Sequence, residues 1–143
     1  MRRYSAAIFI FAMGFVWAAT SVAQASDIVG LAKTPSGQNY LVDSKGMTLY
    51  YFTKDKDKNG GSACNGNCLK AWPAFYAPTI QVSAPLVASD FGTITRDDGS
   101  LQSSYRGWPL YYWVHDTLPG DIKGEGVGKV WYVIDPANFP ARN

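Results

Sequence analysis

The chain has 143 residues, 47% of them hydrophobic and 15% aromatic, with 13 basic and 11 acidic side chains. Both Arg2 and Arg3 lie in a leader-like start, so the remainder balances 11 basic against 11 acidic residues. A neutral domain offers no electrostatic footprint for nucleic acid or for an anionic membrane surface, which excludes both classes of partner.

Met1 to Ala25 combines two arginines, an apolar run from Ala6 to Ala19 and the small-residue ending Ala23-Gln24-Ala25. That layout predicts a secretory signal peptide cut after Ala25. The run is shorter than the roughly 20 residues that a membrane span needs, and no second one follows. The expected product is a soluble exported protein, periplasmic or secreted. It has no cysteine at the cut for lipid attachment and inserts in no membrane once the leader is gone. Ser26 to Asn143 is enough chain for one compact domain and too little for two.

Within that domain, short alternating runs rich in tyrosine, tryptophan and phenylalanine are punctuated by glycine and proline, which predicts an all-β fold. The first strands are expected at Ile28–Lys33, Tyr40–Asp43 and Met47–Thr53, with turns at TPSG and DSKG. NCLKAW, Asn67 to Trp72, fits one or two helical turns stopped by Pro73. Further strands are expected at Phe91–Thr95, Leu101–Tyr105, Leu110–His115 and Val130–Asp135, with Pro109 placed where its missing N–H costs little.

These runs repeat. VGLAKTPSG (29–37) aligns with FGTITRDDG (91–99) at an offset of 62, and LVDSKGMTLYYFTKD aligns with QSSYRGWPLYYWVHD at an offset of 61. Trp72 in KAWPAF then matches Trp131 in KVWYVI. Two copies, about 28–78 and 90–135, signal internal duplication. Neither could bury a face alone, so the expected architecture is two tandem β-repeats packed with pseudo-twofold symmetry. A single short helix follows the cysteine loop.

LYYFTKD and LYYWVHD carry the most distinctive pattern. In extended chain Tyr50 and Phe52 share one face, and Tyr111, Trp113 and His115 share the equivalent face. These rings are read as core in preference to a ligand pocket, with Asp55 and Asp116 accepting turn N–H bonds. The doubled phrase Tyr50-x-Phe52-x-x-Asp55 and Tyr111-x-Trp113-x-x-Asp116, with SACNGNCLKAWP after the first copy, resembles a family of secreted repeat proteins of unknown function. These are described as predicted lipoproteins with a Tyr-x-aromatic-x-x-Asp motif. The resemblance runs from about Val29 to Asp135 and implies an envelope or extracellular protein with no assigned reaction. Some relatives are associated with haem binding and electron transfer. The second copy departs from the first by lacking the cysteine pair.

Cys64 and Cys68, spaced CNGNC, fit a disulfide in an exported protein, worth about 2 kcal/mol for so short a loop. The alternative is a copper(I) thiolate pair with His115 or Met47 as third ligand. DKDKNG opens like a calcium loop at Asp55, Asp57, Asn59 and Gly60. Its twelfth position is Gly66 where a glutamate is needed, so a solvated turn is expected and no metal site is assigned. There is no nucleophile elbow, HExxH, phosphate loop or CxxCH, so no catalytic residues are assigned and the protein is read as a non-enzyme. The leading expectation is an exported protein that acts by binding a small ligand or an envelope redox protein. The runner-up is non-covalent haem on His115 and Tyr111.

Overall fold

A computed structural model describes residues 26–142. The expected signal peptide, Met1 to Ala25, lies outside the described residues. The chain forms β1 (Ser26–Lys33), β2 (Asn39–Val42), β3 (Tyr50–Phe52), α1 (Asn67–Ala71), β4 (Thr79–Val82), β5 (Phe91–Thr95), β6 (Leu101–Tyr105), β7 (Trp108–Pro109) and β8 (Trp131–Val133), with short 3-10 turns between them. They assemble into three small sheets, ordered β2-β1-β4, β3-β8 and β5-β6-β7. The all-β expectation holds, and the one α-helix among the described residues follows the cysteine loop as expected.

The two outer hairpins have the same register. Gly30 faces Val42 and Ala32 faces Tyr40 in β1/β2; Gly92 faces Ser104 and Ile94 faces Gln102 in β5/β6. Corresponding residues therefore stay 62 apart through Val42 and Ser104. This corrects the sequence alignment, which moved to an offset of 61 before Leu41. The residue is lost one turn later, where Asp43 to Gly46 is matched by the tighter Tyr105 to Gly107. Both turns close on a glycine in the left-handed region, with φ 79° at Gly46 and 84° at Gly107.

Two expected strands are corrected. Met47–Thr53 is regular only over Tyr50–Phe52, which pairs with Trp131–Val133. Leu110–His115 is not a strand; Tyr111 makes isolated bridges to Tyr50 and Ala74. Its segment is still hydrogen-bonded on both sides. Tyr50 and Tyr111 exchange N–H···O bonds of 2.8 and 3.0 Å, while the Tyr112 N–H donates to the Pro73 carbonyl at 2.8 Å. Pro73 has no N–H to return to Tyr112, so the ladder loses a bond there, while the Val114 N–H still donates to the Ala71 carbonyl at 3.1 Å. The edge strand β4, parallel to β1, has no equivalent in the repeat pattern and was not expected.

The central pair divides the core in two. Leu49, Leu110, Tyr51 and Tyr112 face one apolar cluster with Val29, Leu41, Phe75, Trp108, Ile134 and Phe139. Tyr50, Phe52, Tyr111 and Trp113 face the other, with Trp72, Trp131, Val133 and Cys64. This is the alternation expected from the sequence, and burial of that many large rings is the main source of cohesion in so small a domain.

Candidate functional site

The doubled motif interlocks. The Tyr50 hydroxyl of the first copy donates to Asp116 Oδ2 of the second at 2.5 Å, and the Tyr111 hydroxyl of the second donates to Asp55 Oδ2 of the first at 2.8 Å. The backbone exchange between Tyr50 and Tyr111 brings both phenols to the seam, and each aspartate reaches back from just beyond the opposite strand. The other oxygen of each carboxylate accepts a loop N–H, from Ala63 at 2.6 Å on Asp55 and from Lys123 at 2.9 Å on Asp116. Both aspartates accept backbone N–H bonds, but from loops eight and seven residues further along the chain, not from the turns that end the strands as the sequence suggested. The tyrosine partners were missed, because they lie 66 and 56 residues away along the chain.

The second contact of each phenol differs. The Gly124 N–H donates to Tyr50 Oη at 3.1 Å, while Tyr111 Oη lies 2.6 Å from Ser62 Oγ. Gly124 has no substitute: a Cβ there would sit 2.7 Å from Tyr50 Cζ and 2.9 Å from Trp72 Cη2. Tyr50, Tyr111 and Asp55 are fully buried and Asp116 is nearly so. Burial, the largest cause, raises both phenols far above their ordinary range, and the neighbouring carboxylates push the same way. Burial also raises both aspartates above the usual carboxylate range. Asp55 is partly offset by the Ala63 N–H, by Tyr111 and by the charges of Arg142 and Arg96, and Asp116 by Tyr50 and the Lys123 N–H.

A column of rings fills the seam. Phe52 stacks on Trp131 (centroids 4.2 Å, 10°), Trp131 on Trp72 (3.8 Å, 4°) and Trp72 on Trp113 (4.1 Å, 26°). Tyr50 meets Trp72 edge-on at 5.4 Å, and Tyr111 meets Trp131 edge-on at 5.0 Å. His115 is exposed and lies edge-on to Trp113 at 4.8 Å.

Cys64 and Cys68 form a disulfide, with Cα atoms 5.2 Å apart. It fixes the loop that presents Ser62 and Ala63 to the Asp55–Tyr111 pair. Arg96, unsuspected in the sequence, is buried beneath this loop. Its guanidinium donates to the Cys64 carbonyl, to Gln102 Oε1 and to Asn65 Oδ1, leaving Nε without a partner among the described residues. In the calcium-like stretch, Asp55 turns inward to Tyr111 and Ala63, away from Asp57 and Asn59, which are exposed. Among the described residues no group of three or more His, Cys, Asp or Glu side chains could hold a metal. The Tyr111 hydroxyl, expected as a haem ligand with His115, is committed to Asp55 and Ser62 in the interior, whereas His115 faces solvent.

No helix among the described residues is long and apolar enough to cross a membrane. No curated protein and no solved structure matches the chain. A family model described as a secreted repeat of unknown function matches twice, over residues 30–75 and 92–135, each match opening on one of the paired glycines Gly30 and Gly92. With both copies of the repeat matched over more than half of its length, and both closed by the same crossed tyrosine–aspartate bonds, the chain belongs to this family of secreted repeats of unknown function.

Proposed function

We propose that this is an exported, non-enzymatic module that acts by binding, and that its signature motif serves architecture. One observation carries this reading: both phenols and all four carboxylate oxygens of the motif have partners inside the fold. A general acid, base or nucleophile must reach its substrate, and these groups are sealed from it. Binding then falls to the surface. The space between β5 and the C-terminal segment, a cavity of about 550 Å³ edged by Asn59, Ser89, Thr93, Arg106 and Arg142, has the size of a small-molecule site. A small ligand or a redox protein of the envelope is the partner class this reading entails. Assaying the purified exported protein on hydrolase and group-transfer substrates, which need a general acid, base or nucleophile, tests it. No turnover is expected, and turnover removed by Asp116→Asn or Tyr111→Phe would overturn it.

A second reading, non-covalent haem, is favoured by the exposed His115 set against Trp113. It now rests on His115 as ligand, without Tyr111. Haemin titration decides it: the Soret band should shift on binding, and a shift indifferent to His115→Ala ends the idea. Copper(I) handling by Cys64 and Cys68 requires the disulfide to be reduced first, and mass spectrometry of both residues in the native compartment is its test.

A further inference from the structure

The two apolar clusters are packed in different ways. Around Tyr51 the rings meet edge-on, with Trp108 at 5.3 Å and 73° and Phe139 at 4.7 Å and 73°. Edge-on contact is an ordinary way to fill a core. In the seam, three successive near-parallel contacts instead join Phe52, Trp131, Trp72 and Trp113 into one column. Phe52, Trp131 and Trp72 are buried, whereas Trp113 is half-buried beside the exposed His115. Each inner tryptophan also touches the edge of a buried tyrosine whose hydroxyl already donates to a carboxylate. Indole and phenol are the most readily oxidised side chains of this core. A phenol gives up an electron far more easily when its proton has a base to go to.

We propose that the column is an electron relay: a high-potential one-electron oxidant docked at the Trp113–His115 end draws an electron from Trp113, the vacancy passes to Trp72, and Tyr50 fills it as its proton moves to Asp116. The step balances. One electron leaves the Tyr50 phenol for the oxidant, the Oη–H bond breaks, and an O–H bond forms on Asp116 Oδ2. The products are a neutral phenoxyl, a neutral carboxylic acid and the reduced oxidant. Trp131, Tyr111 and Asp55 provide the same step one stack further in. A one-electron donor at the same surface returns the electron, and the proton moves back to the phenol. Burial makes both carboxylates better proton acceptors than ordinary aspartate, which favours the coupled step. Phe52 is harder to oxidise than indole and closes the inner end. This relay uses the protein's own rings and is independent of whether haem or a small ligand binds elsewhere.

The test uses His115, the single histidine of the chain. A rhenium(I) tricarbonyl diimine photo-oxidant coordinated there is excited by a flash in the exported protein, and radicals are followed by transient absorption and electron paramagnetic resonance. A tyrosyl radical is expected, formed more slowly in deuterated buffer and lost in the Tyr50→Phe/Tyr111→Phe double variant. A wild-type protein in which the vacancy stays on Trp113 until it recombines with the label overturns the relay. A tyrosyl signal that survives the double variant does so equally. Should that variant fail to fold, each single variant keeps one tyrosine–aspartate pair and should give a lower tyrosyl yield; an unchanged yield in both singles overturns the proposal.

Discussion

The two crossed pairs solve one problem by different means. On one side, Asp55 and Tyr111 are enclosed by a disulfide-pinned loop that brings a serine hydroxyl and the Ala63 N–H, with Arg96 buried behind it. On the other, Tyr50 and Asp116 are enclosed by a loop without cysteines, and close approach is obtained by having no side chain at Gly124. What the halves share is the tyrosine, the aspartate and the stacked tryptophan. What they do not share is the covering loop. The repeat thus fixes the seam and leaves each cover free to vary, and the two covers should fail separately while the seam fails as a whole.

The largest effect should come from the seam. Trp72→Ala and Trp131→Ala should each cost about 4 kcal/mol in urea unfolding, the usual loss for a buried tryptophan. Matched costs support the equivalence of the halves, and a wide gap would break it. Next, Gly124→Ala should cost about 3 kcal/mol through overpacking against Tyr50 and Trp72. Its damage should show as faster hydrogen exchange at Lys123 N–H with Ala63 N–H unchanged. The complementary change, Cys64→Ser with Cys68→Ser, should cost about 2 kcal/mol and expose Ala63 N–H while sparing Lys123. If either loop variant loosened both amides equally, the covers would not be independent.

The smallest effect concerns pH. Both aspartates have folded-state pKa values raised above 3.8, so between that value and the raised one the folded protein binds more protons than the unfolded chain. Their contribution to stability therefore rises as pH falls from neutral towards 3.8 and declines as pH rises through the folded values. Asp98 and Asp121, lowered chiefly by hydrogen bonds, pull the opposite way, which makes a difference measurement necessary. Unfolding of wild type and of Asp55→Asn from pH 7 to pH 4 should show wild type gaining relative to the variant on acidification. A constant difference would mean that burial does not govern the Asp55 carboxyl.

Much of this arrangement was legible in the residues. The hairpins at TPSG and DDG, the helix stopped by Pro73 and the inward alternation of LYYF and LYYW all follow from local turn chemistry and period-two patterning. The cysteine pair closed as its spacing and export suggested. The misses have physical causes too. Leu110–His115 reads as a strand but is kept irregular by a proline on its neighbour, and β4 is a short edge whose parallel partner is far away in the sequence. Arg96 stands beside two aspartates in the sequence, yet three acceptors, two on the cysteine loop and one on β6, hold it inside.

By itself the sequence determined that there are two copies of one unit, which rings of each copy share a face, and that polar residues follow them. Those properties depend on neighbours in the chain. The tertiary structure decided that each tyrosine bonds the aspartate of the other copy and that the tryptophans of both form one column. A hydrogen-bond partner or a stacking neighbour is chosen by distance in space, and packing two units together sets distances that neither unit contains alone.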